Sequence, residues 1–108
     1  MPAMILDKYV RHIDIEQRLG VKRDEILKIA AKHGASNVRI FGSFARDEGH
    51  PKSDVDFLLE LEAHRSLIEH VALIQDLEKL LGRPVDVVEP SGLHWSIRDK
   101  VLAEAVYV

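Results

Sequence analysis

The sequence predicts an α+β (α/β) domain, a small mixed sheet with helices packed mainly on one face. Three observations carry that expectation. Val55, Phe57, Leu59 and Leu61 alternate with Asp54, Asp56, Leu58 and Glu60, the period of a strand. Ser66 to Leu81 then carries apolar residues at helical spacing and ends at Gly82. A second short apolar run, PVDVVE, follows at once, as expected when a helix connects two strands of one sheet.

The remaining elements follow in order. Residues 1–20 read as an N-terminal helical arm, with Ile5, Leu6, Tyr9, Val10 and Ile13 on one face and Gly20 as its stop. Residues 21–108 read as the core of a single domain. Lys22 to His33 reads as a helix whose Ile26, Ile29, Ala30 and His33 share a face. Asp24 and Glu25 suit its positive end, and Gly34 suits its stop. Ser36 to Phe41 is a short strand with Val38 and Ile40 on one side. Gly42 to Ser53 is a glycine- and charge-rich connection with one helical turn over Phe44 to Glu48. In the helix from Ser66, the stripe is Leu67, Val71, Ile74, Leu77 and Leu81, and Ser66 with Glu69 forms a capping box. Its charged residues Glu69, Asp76, Glu78 and Lys79 read as a solvated face. Arg83 to Glu89 is the third strand, with Pro84 at its start, where a missing N–H is tolerated. Pro90 and Gly92 break it. His94 to Ala105 is a last helix with Ile97, Val101 and Ala105 in register, and Val106 to Val108 an edge strand.

Composition narrows the function. A chain of 108 residues holds one modest core. Hydrophobic residues are 46% and charged residues 31%, the balance of an ordinary globular chain. The net charge of -3 lacks the basic footprint of a free-standing nucleic-acid binder, so no direct nucleic-acid binding is expected. Without cysteine there is no disulfide and no thiolate metal site. No apolar run approaches the roughly 20 residues of a membrane span, and MPAMILDKYVRH lacks a signal peptide's apolar centre. A cytoplasmic protein without membrane contact is the expectation. There is no P-loop, nucleophile elbow or Rossmann glycine pattern. The six histidines show no metal-ligand spacing and read as surface or cap residues, and Trp95 and Phe44 as core or interface residues.

The chemistry is concentrated in Gly42-Ser43, ten residues, then Asp54-Val55-Asp56. On a strand, Asp54 and Asp56 share a face about 7 Å apart. Carboxylates that close repel unless a cation sits between them. Oxygen ligands without cysteine suit Mg²⁺ or Mn²⁺ rather than zinc. A lone D-x-D is also the mark of a solvated strand face. Asp86 tips the balance, because it points opposite to Val85 and Val87 on the next strand. If the two strands are neighbours, three carboxylates converge. The Gly-Ser pair adds a turn whose backbone can approach a phosphate closely. Such parts serve in-line nucleotidyl transfer.

GSFAR, then SDVDFLLE, then PVDVVE some thirty residues later resembles the polymerase-β-like nucleotidyltransferase superfamily. Within it, the chain is most similar to the minimal nucleotidyltransferase (MNT) antitoxins encoded beside HEPN-domain toxins. The similarity runs from Asn37 to Val108, and the C-terminal helix and apolar tail resemble that group in particular. It implies the polymerase-β-like fold and a set of roles. Gly42 and Ser43 hold the β- and γ-phosphates of ATP, and Arg46 pairs with phosphates or is a solvated helix residue. Asp54 and Asp56 bind two Mg²⁺ ions. Asp86 completes one metal site, or orients and deprotonates the attacking hydroxyl. Lys52 is more simply a loop charge. Asp47 departs from the family pattern, where many relatives carry glycine, and adds a negative charge beside the phosphates.

The activity implied is that of an antitoxin in a type VII-like pair, a Mg-dependent protein adenylyltransferase (AMPylase). It would move AMP from ATP to a tyrosine hydroxyl of a HEPN ribonuclease toxin. Two alternatives stand beside it: an antitoxin that masks the toxin by binding alone, and a small-molecule nucleotidyltransferase completed by a partner subunit.

Overall fold

The computed structural model describes residues 14–46, 48, 53–63 and 65–108. The expected helix over Ile5–Ile13, and the positions of Asp47 and Lys52, lie outside that set. The elements are helix α1 (Ile15–Leu19), helix α2 (Arg23–Lys32), strand β1 (Ala35–Phe41), strand β2 (Val55–Leu61), helix α3 (Leu67–Leu81), strand β3 (Val85–Val88), a 3₁₀ turn (Pro90–Gly92), helix α4 (Trp95–Glu104) and strand β4 (Val106–Tyr107). The sheet is mixed, in the order β3-β2-β1-β4. β1 pairs antiparallel with both β2 and β4, while β2 and β3 run parallel, joined by α3. The expected α+β class with a small mixed sheet is what is found. Among the described residues, no helix is long and apolar enough to cross a membrane.

The alternation in β2 divides the apolar residues between two faces. Val55, Phe57 and Leu59 join Ile40, Val85 and Val87 in the main core, which Ile15 and Leu19 of α1, Ile26 and Ala30 of α2, and Leu73, Leu77 and Leu81 of α3 complete. Leu58 points the other way and packs with Leu93 and Val101, against Phe41, Val88 and Ala105. Helices α1–α3 thus cover one face, and α4 partly covers the other. By the same period, Asp54, Asp56 and Asp86 fall on the face that carries α4.

Two stripes need correction. In α3, Leu67 is 78% exposed, Ile68 81% and Val71 44%, whereas Leu73 is fully buried. The expected stripe holds at Ile74, Leu77 and Leu81, which face the main core, and fails in the first turns, where Leu67 and Val71 are exposed and Leu73 takes the buried position. Several apolar spacings fit this leucine-rich helix, and the partner surface selects among them. In α4, Ile97 is exposed although Val101 and Ala105 pack inward.

The charged face of α3 is not simply solvated. His33 closes α2 and is only 6% exposed. Its Nδ1 meets Glu69 Oε2 at 3.3 Å and its Nε2 meets Asp76 Oδ2 at 2.7 Å. Lys32 adds an ion pair to Asp76, and Arg65 one to Glu69. Glu78 accepts from the Val85 N–H at 3.1 Å and so ties α3 to the start of β3. A helix read alone does not reveal which of its charges face a neighbouring element. Ser66 caps α3, accepting from the Glu69 N–H, but only this half of the expected capping box forms, because the Glu69 carboxylate is taken by His33 and Arg65. Gly34 sits at φ 72°, and a Cβ there would meet the Arg65 side chain at 2.5 Å.

Truncating Leu73 removes a fully buried side chain from the contact between α3 and the sheet. Leu73→Ala is expected to cost about 2–5 kcal/mol in urea unfolding. Asp76 generates a pH prediction. The His33 hydrogen bond, and after it Lys32, hold its carboxyl below the ordinary carboxylate value. A lowered folded-state value stabilises the fold fully above about pH 4, and the contribution is lost as pH falls through it. Asp76→Asn is therefore expected to be less stable than wild type at pH 7, with the gap closing in strong acid. Urea midpoints measured along that pH series check it.

Candidate active site

The parallel pairing of β2 and β3 aligns Val55 with Val85 and Asp56 with Asp86. In a parallel pair, aligned residues present their side chains to the same face. Asp56 is therefore flanked along its own strand by Asp54 and across the sheet by Asp86. Asp54 and Asp86 are exposed, and Asp56 is half-buried. The Asp56 carboxyl is pushed up from its ordinary value, first by burial, then by the charges of Asp86 and Asp54. A side-chain hydrogen bond with Asp86 and the charge of Glu104 act in the same direction. Among the described residues, no group of three or more His, Asp or Glu side chains is already gathered around an ion-sized space. The donor set still fits a hard cation. Its oxygens are all carboxylate, and their mutual repulsion is what a divalent ion relieves.

The turn that follows β1 packs onto this pair. Phe41 is aligned with Asp56, and Gly42 leaves the strand at φ 77°. A Cβ on Gly42 would stand 2.5 Å from Asp56 Oδ2, so glycine is required here both for the left-handed backbone and for the space. The helical turn begins at Gly42, two residues earlier than expected. It is closed by Arg46 N–H to Gly42 O (3.2 Å) and Glu48 N–H to Ser43 O (2.8 Å). Phe44 and Ala45 are buried and anchor it in the core. The Phe44 carbonyl accepts from Arg18 at 2.6 Å, and its ring lies 5.0 Å from the Arg83 guanidinium. Ser43 is held half-buried in the same turn.

Arg46 is neither simply solvated nor unengaged. Its Nε donates to Glu48 at 2.8 Å, and its Nη1 donates to Glu104 Oε1 at 2.7 Å. The same Glu104 oxygen accepts from the Gly42 N–H at 2.8 Å. Glu104 was not among the residues singled out in the sequence, yet the edge strand contains the signal. Val106 pairs with Ile40 in an antiparallel ladder. Two residues further along each strand, that register leads to Gly42 and Glu104. The structure thus brings together Gly42, Ser43, Arg46, Asp54, Asp56 and Asp86, and adds Glu104.

Comparison with known proteins bears directly on this arrangement. Residues 23–108 match the family described as the nucleotidyltransferase domain. A protein of Methanocaldococcus jannaschii with the provisional name protein adenylyltransferase is 42% identical over 88 residues, which span 82% of this chain and 94% of that protein. The protein adenylyltransferase MntA of Thermococcus cleftensis is 38% identical over 95 residues, 88% of this chain and 93% of that protein. A solved structure provisionally described as a minimal nucleotidyltransferase shares 43% identity with a TM-score of 0.76, covering 90% of this chain and 98% of that one. A toxin–antitoxin complex crystallised with AMP-PNP shares the fold, with a TM-score of 0.66 at 21% identity over 79% of this chain and 70% of that one. The match begins with α2 and runs through the glycine turn, all three aspartates and Glu104, so the chain belongs to the nucleotidyltransferase family and is a nucleotidyltransferase enzyme.

Proposed function

We propose that this chain is the antitoxin of a HEPN/MNT pair and transfers AMP from ATP to a tyrosine hydroxyl of a HEPN ribonuclease toxin. The observation that carries the reading is the register of β2 and β3. It sets Asp56 beside Asp86, with the Gly42 turn packed onto Asp56. The relatives named as protein adenylyltransferases and the fold shared with toxin–antitoxin complexes support the acceptor class.

In this reading Gly42 and Ser43 receive the β- and γ-phosphates, and Arg46 offers positive charge beside them. Asp54, Asp56 and Asp86 would hold Mg²⁺, which when bound supplies positive charge to the attacking and leaving oxygens. Asp86 is exposed on the outer strand, within reach of an incoming hydroxyl, and takes its proton. The hydroxyl oxygen forms a bond to the α-phosphorus. The bond from that phosphorus to the bridging oxygen breaks, and pyrophosphate leaves with the electron pair. A phosphate ester on a tyrosine near an RNA-cleaving site adds bulk and negative charge where RNA phosphates must dock, and so excludes them.

The test combines the purified chain, the toxin encoded beside it, Mg²⁺ and α-labelled ATP. Label is expected on a toxin tyrosine. Asp54→Asn with Asp56→Asn is expected to reduce labelling by at least about 100-fold, since it removes two of the three ion-binding carboxylates. Toxin suppression that survives the double substitution, or that proceeds with no label transferred, would instead establish masking by contact.

The raised Asp56 value adds a stability prediction with its own sign. A carboxyl whose folded-state value is raised binds more protons folded than unfolded, so stability falls as pH rises through that range. In chelator-treated protein at neutral pH, Asp56→Asn is expected to raise the thermal midpoint. Mg²⁺ is expected to raise the wild-type midpoint and to leave that of the double variant unchanged.

A further inference from the structure

The Glu104 carboxylate meets two donors with one oxygen, the Gly42 N–H at 2.8 Å and Arg46 Nη1 at 2.7 Å. Its side chain is only 18% exposed. The residue sits in the last turn of α4, and its place is secured on both sides. Val101 of α4 packs with Leu58 and Leu93 beneath the helix. Beyond it, Val106 and Tyr107 pair with β1, Val108 N–H donates to Val38 O at 3.1 Å, and Arg23 Nε donates to Val108 O at 2.8 Å. The charge of this carboxylate adds to the burial and the neighbouring acids that already raise Asp56. Its presence is accounted for by what it holds. Arg46 is nearly half-exposed on a long, flexible side chain, and a guanidinium in that setting takes one position only when its N–H groups are engaged.

We propose that Glu104 is a positioning residue for the nucleotide: its carboxylate clasps the Arg46 guanidinium and the Gly42 amide together beside the aspartates, and so sets the shape in which the turn receives phosphates. The role rests on the function proposed above. It lies in the acceptor geometry, one oxygen serving both donors, and the alternative is the charge of the Arg46–Glu104 ion pair. That distinction makes it testable. Glu104→Gln keeps an oxygen that can accept both bonds and removes the charge. Glu104→Asp keeps the charge and is one methylene too short to reach both donors from the same helix position.

Two readouts are needed. The first is hydrogen exchange at the Gly42 amide, which requires no nucleotide. Glu104→Gln is expected to keep the wild-type rate within about threefold, and Glu104→Asp and Glu104→Ala to exchange at least about tenfold faster. The second is the dissociation constant for ATP with Mg²⁺, measured by displacement of a fluorescent ATP analogue. It is expected to rise about tenfold in Glu104→Asp and Glu104→Ala, the loss of one charge-assisted hydrogen bond, and to stay within about threefold in Glu104→Gln. In an Arg46→Ala background, the effect of Glu104→Ala on ATP affinity is expected to shrink to about threefold or less, the part carried by the Gly42 amide, because one of the two groups it positions is gone. A purely structural role would instead add its full effect in that background.

Full additivity with Arg46→Ala, or an inverted order in which Glu104→Asp keeps ATP affinity and Glu104→Gln loses it, would overturn the proposal. Should Glu104→Ala fail to fold, the Gln and Asp variants carry the test through their order. A wild-type protein that protects the Gly42 amide yet binds no ATP would overturn the nucleotide role together with the function it rests on. An unprotected Gly42 amide in a wild-type protein that binds ATP would overturn the clasp alone.

Discussion

The parallel register between β2 and β3 is the constraint on which the rest depends. It places Asp56 directly beside Asp86, a like-charge pair that an ordinary sheet would avoid. Burial and the surrounding carboxylates push Asp56 up, so the site is under electrostatic load in the absence of a cation. The main core offsets that load. Val55, Phe57 and Leu59 lie fully buried on the opposite face of the same strand, and the apolar set of α3 covers them. Slipping β2 by one residue would expose those side chains and bury the acids, so one set of packing interactions holds the repelling groups in place.

The glycine turn depends on the same strand. Gly42 can pack against Asp56 only because it lacks a Cβ, and Phe44 and Ala45 root the turn in the core two residues further on. Residues that could receive a nucleotide therefore stand on backbone that is buried and hydrogen-bonded, rather than on a free loop. The same arrangement explains why Arg46 comes to Glu48 and Glu104. Its base is set by the turn, and its head finds the carboxylate presented by α4.

Away from the site, the histidine at the end of α2 joins the two helices that cover the main core. His33 reaches Glu69 and Asp76 on α3, with Lys32 and Arg65 adding ion pairs around it. These charges lie on the far side of the sheet from the aspartates. The molecule thus uses carboxylates in two ways, paired with cationic side chains where they hold helices together and left facing one another at the candidate active site.

Much of this was legible in the residues. The alternation of β2 and the D-x-D within it, the isolated Asp86 among valines, and the Gly-Ser pair are local patterns, and each specifies a face or a turn without help from distant residues. The strands, the α3 boundaries at Ser66 and Gly82, and the edge strand came from such signals. Three features did not, because they are set by partners far away in the chain. The buried face of α3 was selected by the sheet and α2 from several apolar spacings. The apparently solvated acids Glu69 and Asp76 were claimed by His33. Glu104 was drawn to Gly42 by the pairing of β4 with β1. Periodicity reports which residues share a face; only packing decides which face meets which neighbour, because burial and hydrogen bonding are properties of the pair of surfaces and not of either strand or helix alone.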